Sequence, residues 1–242
     1  MTPPAAPSRR ELLALAWIPF LPPRYVGLAG ARFHVIRNGH SRRRYIVIHG
    51  NEETARAVLL RHIDRQEGVA FVVEGHTRNV RVDGLLLDPN RMFSRTGAEA
   101  NLRSLNPEAT PDRLRRALDA LDHGRPGLVH ALTPPRGGLL FALHNNSGGY
   151  SVRDEVPISD RVSLREPGNP HAFFLCTDPR DFELLSESPY NVVLQRTAPP
   201  ADDGSLSRLA AAREFRYVNL EVGLGHFDRQ REMVWWLEFH LP

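Results

Sequence analysis

The chain has 242 residues, of which 41% are hydrophobic and 24% charged, with a formal net charge of +3 at pH 7. This length suits one large α/β domain or two small ones, and the composition excludes a disordered or fibrous protein. All 31 basic residues are Arg, and no aromatic residues interleave the Arg clusters to stack bases, which disfavours a nucleic-acid partner. No apolar stretch approaches the roughly 20 residues that would span a bilayer, so no integral membrane association is expected.

Residues 1–31 are either a twin-arginine export signal or an N-terminal arm docked on the domain that follows. Arg9 and Arg10 precede an apolar run at 12–21, and small residues at 29–31 could form a cleavage point. Trp17 and three prolines would make a poor signal helix, so both interpretations stay open. Export to the periplasm is favoured over a cytoplasmic location. Residues 32–242 are then one catalytic domain.

The first half of that domain alternates strands and helices. Strands are predicted at 32–37 and 45–48, around an Asn38-Gly39 pair that is typical of a hairpin. A helix is predicted at 53–66, where apolar residues recur at helical spacing and Gly68 can end it. Further strands are predicted at 69–74 and 80–87.

The second half continues the alternation. Thr110 and Pro111 are typical of a helix start, and Gly124 is expected to end that helix. Strands are predicted at 128–132, 139–143, 172–176, 191–195 and 216–222, with helices at 206–213 and 228–238. Trp235 and Trp236 are expected to anchor the last helix by packing, and the single cysteine, Cys176, is expected to be buried and structural. The pattern predicts an α/β fold whose sheet carries helices on both faces.

Three side chains have the types and positions of a catalytic zinc site. His49 and Glu52 lie three residues apart at the end of a strand, where a helix begins, and His144 ends another apolar strand. Sites of open α/β sheets lie at the carboxyl ends of strands. Zinc accepts imidazole nitrogen and carboxylate oxygen, and catalytic sites use three protein ligands with a fourth position open. We therefore expect His49, Glu52 and His144 to bind Zn²⁺.

A third segment, Asp88-Pro89-Asn90-Arg91-Met92-Phe93, makes a family resemblance recognisable. His-Gly-Asn-Glu, then Asp-x-Asn-Arg-x-Phe, then His-Asn-Asn after a strand resembles the zinc carboxypeptidase superfamily, especially its aspartoacylase and succinylglutamate desuccinylase branch. The resemblance covers about residues 44–235, although four short segments carry it. It implies a zinc carboxypeptidase-like fold with a mixed, largely parallel central sheet.

The resemblance also implies roles for other residues. Glu221, on a late strand among apolar neighbours, corresponds to the catalytic base. Asn90 and Arg91 resemble the pair that grips the free carboxylate of the substrate, and a guanidinium fork suits that task. A further Arg steadies the oxyanion in this superfamily. Arg78 or Arg81 could do so here, although neither has the expected spacing.

These features predict a zinc-dependent hydrolase that cleaves an amide bond adjacent to a free carboxylate. Such an enzyme would be a metallocarboxypeptidase or a deacylase of N-acylated amino acids, so its partner would be a small peptide or N-acyl amino acid. If residues 1–31 direct export, peptides of the peptidoglycan cell wall become natural substrates. The alternative is a relative of the same fold that binds an acidic ligand or peptide without catalysis.

Overall fold

A computed structural model describes residues 24–147, 149–197 and 201–242. Its strands and helices alternate through most of the chain. The strands are β1 (Arg24–Leu28), β2 (Ala31–Asn38), β3 (Arg44–Val47), β4 (Gly68–Val73), β5 (Val80–Val82), β6 (Leu85–Leu87), β7 (Leu140–Asn146), β8 (Arg161–Ser163), β9 (Phe173–Cys176), β10 (Asn191–Leu194) and β11 (Tyr217–Gly223). The α-helices are α1 (Glu53–Ile63), α2 (Arg95–Leu105), α3 (Pro111–Leu132), α4 (Val152–Glu155), α5 (Pro179–Ser186), α6 (Leu206–Ala212) and α7 (Phe227–His240).

In the described part of the chain, nine strands form one central sheet in the order β1-β2-β4-β3-β7-β11-β9-β10-β8. The middle of the sheet is parallel, since β3 pairs in parallel with β4 and β7, and β7 with β11. Antiparallel pairings lie toward both edges. The predicted α/β class with a mixed sheet is confirmed at this level.

The sheet is buried on both faces. Helices α2, α3 and α6 pack on one face and α1, α5 and α7 on the other, and each face contributes its own cluster of buried apolar side chains. Every residue of β4, β7, β9 and β10 is buried. Strands enclosed in this way are near-continuous apolar runs, which is the pattern the sequence displays. Cys176 is among these residues, with 0% exposure, as expected.

The hairpin predicted at Asn38-Gly39 is wrong. Strand β4 lies between β2 and β3, and pairs antiparallel with β2 and parallel with β3. The Asn38 side chain instead donates hydrogen bonds to the carbonyls of Ile63 and Gln66, at the end of α1. The Asn-Gly pair therefore marks the end of β2 but does not determine which strand pairs with β2. That strand is β4, which follows α1 in the sequence.

Two other predicted elements need correction. The helix expected to end at Gly124 and the strand expected at 128–132 form one 22-residue helix, α3, that passes through Gly124 and Pro126. Gly124 serves packing, because a Cβ there would lie 2.8 Å from the Leu28 side chain. The strand predicted at 80–87 is a two-stranded hairpin, β5–β6, whose turn residues Asp83 and Gly84 both have positive φ.

Of the two tryptophans expected to anchor the last helix, only one packs against the core. Trp236 packs against the core, but Trp235 is 62% exposed, so the expected anchoring by Trp235 is wrong.

The Arg9-Arg10 pair and the apolar run of the candidate export signal lie outside the described residues, whereas Ala29 and Gly30 form the turn between β1 and β2. Among the described helices, none combines the length and apolarity needed to cross a bilayer.

Candidate metal centre

The three predicted metal ligands meet at the carboxyl edge of the parallel strands. His49 follows β3, Glu52 immediately precedes α1, and His144 lies in β7. The Nδ1 atom of His49 is 2.7 Å from Glu52 Oε1, and the Nδ1 atom of His144 is 3.2 Å from Glu52 Oε2. One ligand atom from each residue lies within 4.8 Å of the others. This buried group could hold a metal ion.

The chemistry of the cluster fits a cation. Two imidazoles direct Nδ1 toward one carboxylate, and all three residues are at most 4% exposed. Glu52 Oε2 is buried and accepts a well-formed hydrogen bond from no described group. Such an unsatisfied buried oxygen calls for a ligand. Two nitrogens and a carboxylate oxygen are a ligand set that zinc accepts.

Gly50 explains why the segment between His49 and Glu52 can take its path. Its N–H donates to Thr77 O at 3.0 Å. A Cβ at this position would lie only 2.6 Å from the same oxygen and 2.9 Å from Gly75 O. The neighbouring loop therefore leaves room for glycine alone at position 50.

Asp88 and Arg78 surround the cluster on its outer side. His49 Nε2 donates to Asp88 Oδ1 at 2.7 Å, and Arg78 Nη2 donates to Asp88 Oδ2 at 3.0 Å. Arg78 Nη1 also lies 3.9 Å from Glu52 Oε1. Arg81 instead donates to Gly84 O on the exposed β5–β6 turn. Of the two arginines considered from the sequence, the structure thus brings Arg78 to the site.

The role of Asp88 was missed in the sequence analysis, although the residue begins the Asp-x-Asn-Arg segment. Metal-binding histidines usually donate their other ring N–H to a carboxylate, which fixes the tautomer and the ring orientation. Asp88 lies 39 residues from His49 along the chain, so no short-range pattern pairs the two. Asp88 also accepts from the N–H of Asn90 and so holds the following turn.

His49, Glu52 and Asp88 carry opposite charges that favour one another's ionised forms. Burial by itself would lower the pKa of His49, but hydrogen bonds with Asp88 and Glu52 raise it to about 9. Burial opposes ionisation of Glu52 too, yet His144 and His49 lower its pKa to about 2. The pKa of Asp88 is likewise lowered, since His49 and Arg78 outweigh its burial. A metal ion would have to displace the proton of His49.

Glu221 faces the same space from β11. It stands beside His144 in the parallel register of β7 and β11, is 6% exposed, and accepts a hydrogen bond from Asn219 Nδ2 at 3.1 Å. Burial raises the pKa of Glu221 to about 7; the charge of His144 lowers it and that of Glu52 raises it. A carboxyl group with such a pKa can both accept and return a proton near neutral pH.

A cavity of about 430 Å³ opens over the cluster. His49, Glu52, His144 and Glu221 line it together with the predicted binding residues. Its remaining wall is largely polar and includes Asn146, Ser147, Tyr150, Glu155, Gln195, Asp203, Ser207, Arg208 and Asn219. The sequence analysis therefore identified some of the residues that line the cavity, and the structure adds the others.

Asn90 and Arg91 line this cavity but are already engaged with the loop that precedes α6. Asn90 Oδ1 accepts a hydrogen bond from Leu206 N at 3.0 Å. Arg91 Nη1 lies 3.2 Å from Asp203 Oδ2 and donates to Asn90 O at 3.0 Å. An internal carboxylate therefore partly neutralises the guanidinium that was expected to bind the substrate.

Arg208, in the first turn of α6, is a cavity residue that the sequence analysis did not identify. Its guanidinium forms no hydrogen bond or ion pair with the residues that the structure describes, and its Nε atom is buried. Burial lowers its pKa. No local pattern distinguishes this residue in a chain with 31 arginines. Its place in the site follows only from the packing of α6 against β11.

No protein-family model, curated protein or solved structure matches this chain. The class of protein is therefore defined by the fold and the site. It is a mixed α/β protein with a buried His–Glu–His cluster, able to hold a metal ion, at the carboxyl ends of its parallel strands.

Proposed function

We propose that this protein is a zinc-dependent hydrolase that cleaves an amide bond adjacent to a free carboxylate. His49, Glu52 and His144 are the proposed metal ligands. One observation carries the proposal. The ligand cluster shares its cavity with a buried carboxyl group, that of Glu221, whose pKa is raised to about 7.

Zinc held at this cluster would supply a Lewis acid that polarises a carbonyl group and makes water more acidic. Glu221 is the proposed base, which accepts a proton from the attacking water and passes it to the departing amine. Both steps require a pKa near the working pH, which the burial of Glu221 provides.

Two charged neighbours support this chemistry. Arg78 can place a guanidinium N–H against the negative charge that develops on the carbonyl oxygen, since it lines the cavity and lies 3.9 Å from Glu52. Asp88 holds both Arg78 and His49 and would keep them oriented through the reaction. We assign Asp88 a positioning role.

The arginines of the cavity indicate the substrate class. Arg91 and Arg208 both line it, and guanidinium groups bind carboxylates with charge-assisted hydrogen bonds. With Asn90 beside them, they support a small peptide or an N-acylated amino acid that carries a free carboxylate. Cell-wall peptides belong to this class and are the proposed substrates if the protein is exported.

A non-catalytic relative that binds acidic ligands would use the same arginines. The position of Glu221 favours the hydrolase, because a binding protein would have no need for a buried acid whose pKa is raised to about 7 next to a metal cluster. We therefore rank the binding protein second.

The metal content and turnover of two variants test the proposal. We expect the purified protein to bind one zinc ion and to hydrolyse members of a panel of N-acyl amino acids and dipeptides. His49→Ala should lose zinc and activity together, because it removes a ligand. Glu221→Gln should keep zinc and lose turnover by about 10²-fold or more.

His123→Ala, at an exposed position of α3, is the matched control and should change neither quantity. Zinc retained in His49→Ala, or full turnover in Glu221→Gln, would overturn the proposed function. Tight binding of carboxylate ligands by the zinc-loaded protein, without turnover of any substrate, would favour the binding protein instead.

A further inference from the structure

Two buried amide side chains bond to the backbone of the segments that carry the cluster and have no part in the chemistry proposed above. Asn145 follows His144 in β7 and is 6% exposed, and Gln230 lies in α7 and is 0% exposed. Asn145 Nδ2 donates to Gln230 Oε1 at 3.0 Å. The two side chains thus form a linked pair across the boundary between the sheet and a helix.

Both side chains also form hydrogen bonds with backbone groups. Gln230 Nε2 donates to the carbonyl oxygen of His144 at 2.9 Å. Asn145 Oδ1 accepts from the N–H of Ala55 at 2.8 Å, and Asn145 Nδ2 also approaches the carbonyl oxygen of Val222 at 3.3 Å. The amide oxygen and nitrogen of each side chain are therefore all in use.

These contacts reach the segments that supply three of the proposed residues, Glu52, His144 and Glu221. Ala55 is in the first turn of α1, three residues after Glu52. His144 is itself a proposed ligand, and Val222 follows Glu221 in β11. The two side chains thus connect the start of α1 to the ends of β7 and β11, and Gln230 links all three to α7.

The direction of the hydrogen bonds matters. If the Gln230 amide were reversed, its oxygen would face the carbonyl of His144 and its nitrogen would face Asn145 Nδ2, so both bonds would be lost. In a buried setting, loss of a partner leaves the full desolvation cost of the unpaired group. The network therefore favours one arrangement of the three segments.

We infer that Asn145 and Gln230 are a positioning pair that sets the relative placement of Glu52, His144 and Glu221 before a metal binds. The inference rests on the proposed function, since it assigns these residues to the same centre. Removal of groups that hydrogen-bond to metal-binding residues, without touching the metal, typically changes metal affinity about 10- to 100-fold. We expect an effect of that size here.

Zinc affinity measured with a competing chelator tests the inference on Gln230→Met, Asn145→Leu and the double variant. These replacements keep approximate side-chain volume and remove the amides. Asn191→Leu is the matched control. Asn191 is a buried asparagine, 0% exposed, that bonds to Glu166, Asn169 and Ala172 in another part of the sheet. The unfolding free energy of each metal-free variant is measured in parallel.

We expect each single variant to weaken zinc binding by at least tenfold, and the double variant by less than the product of the two effects, because the amides act as one unit. Asn191→Leu should lose stability and keep its zinc affinity within about twofold. If Gln230→Met does not fold, Gln230→Asn replaces it. The shorter asparagine side chain retains the amide but cannot bridge both partners, so the same weakening is expected.

Zinc affinities of the Asn145 and Gln230 variants that match the wild type would overturn this inference alone, provided that His49→Ala abolishes binding. If the wild-type protein binds no zinc, or if His49→Ala binds it equally well, the proposed function fails and this inference fails with it. The two failures are therefore distinguishable.

Discussion

Glu221, the proposed base, is buried at a cost in stability. It is buried where an ionised carboxylate is poorly solvated, and burial raises its pKa to about 7 from the usual 4.5. A raised carboxyl pKa means that the folded protein holds the proton more tightly than the unfolded chain does. Glu221 therefore lowers the free energy of unfolding as the pH rises from about 4.5 through 7.

We expect Glu221→Gln to stabilise the metal-free protein at pH 8 and to leave its stability nearly unchanged at pH 4. The gain should be at most about 3 kcal/mol, from about 1.36 kcal/mol per unit of pKa shift. Denaturant unfolding of the metal-free protein and of the variant at both pH values measures it. Equal stability of the two proteins at pH 8 would show that Glu221 is not held in an unfavourable environment.

Arg208 provides the second prediction at the residue scale, because it is the cavity cation that no described carboxylate pairs with. We expect Arg208→Gln to raise KM about 10-fold or more for a substrate with a free carboxylate, with a smaller effect on kcat. Arg91→Gln should raise KM less, since Asp203 already partners Arg91. Initial rates over a range of substrate concentrations give both constants.

The matched control for Arg208 is the same substrate with its carboxylate converted to an amide. The wild-type protein and Arg208→Gln should differ little toward that compound, because the charge that Arg208 recognises is absent. An equal loss on both substrates would indicate that Arg208 supports the fold of α6 instead of binding the carboxylate.

At the scale of elements, the path between β3 and α1 depends on a glycine. A Cβ at residue 50 would lie 2.6 Å from Thr77 O, so Gly50→Ala must push apart the segment that carries His49 and Glu52 and the loop beside it. We expect a loss of about 1–3 kcal/mol in unfolding free energy together with weaker zinc binding. Thermal or denaturant unfolding and a zinc titration measure the two effects.

Gly127→Ala is the control at this scale. Residue 127 lies within α3, and apart from its chain neighbours and the backbone of its own helix no described atom is within 4 Å of a Cβ built there. Alanine favours helix over glycine by about 0.5–1 kcal/mol, so this variant should be neutral or more stable. A Gly50→Ala protein as stable as Gly127→Ala would contradict the close approach described for residues 50 and 77.

The elements also show where local patterns mislead. The chain does leave β2 at the Asn38-Gly39 pair, and Gly124 did look like a helix end. Each conclusion failed because a distant segment decided the outcome. Strand β4 takes the place between β2 and β3, and Leu28 packs against Gly124 while α3 continues. Tertiary packing routinely overrides such local preferences.

At the scale of the whole molecule, the α/β class followed from the alternation of apolar strands with helical patterns. Strand order could not be obtained in this way. The sheet places β11, the last strand in the sequence, between β7 and β9, and this arrangement brings Glu221 beside His144. The spacing of residues along the chain does not predict that Glu221 and His144 are neighbours. Their proximity depends on which apolar faces pack together.

The sequence by itself was enough to predict that His49, Glu52 and His144 lie together, because His49 and Glu52 flank one turn and His144 lies in a strand that runs parallel to β3. The structure brings them into one buried group that could hold a metal ion. The tertiary structure alone decided that Arg78 and not Arg81 reaches the cluster, that Asp203 pairs with Arg91, that Arg208 lines the cavity, and that Gln230 donates to the backbone of His144. Ligand spacing is a short-range property fixed by backbone geometry. Charge pairing and buried hydrogen bonds between distant segments exist only once the helices have packed onto the sheet.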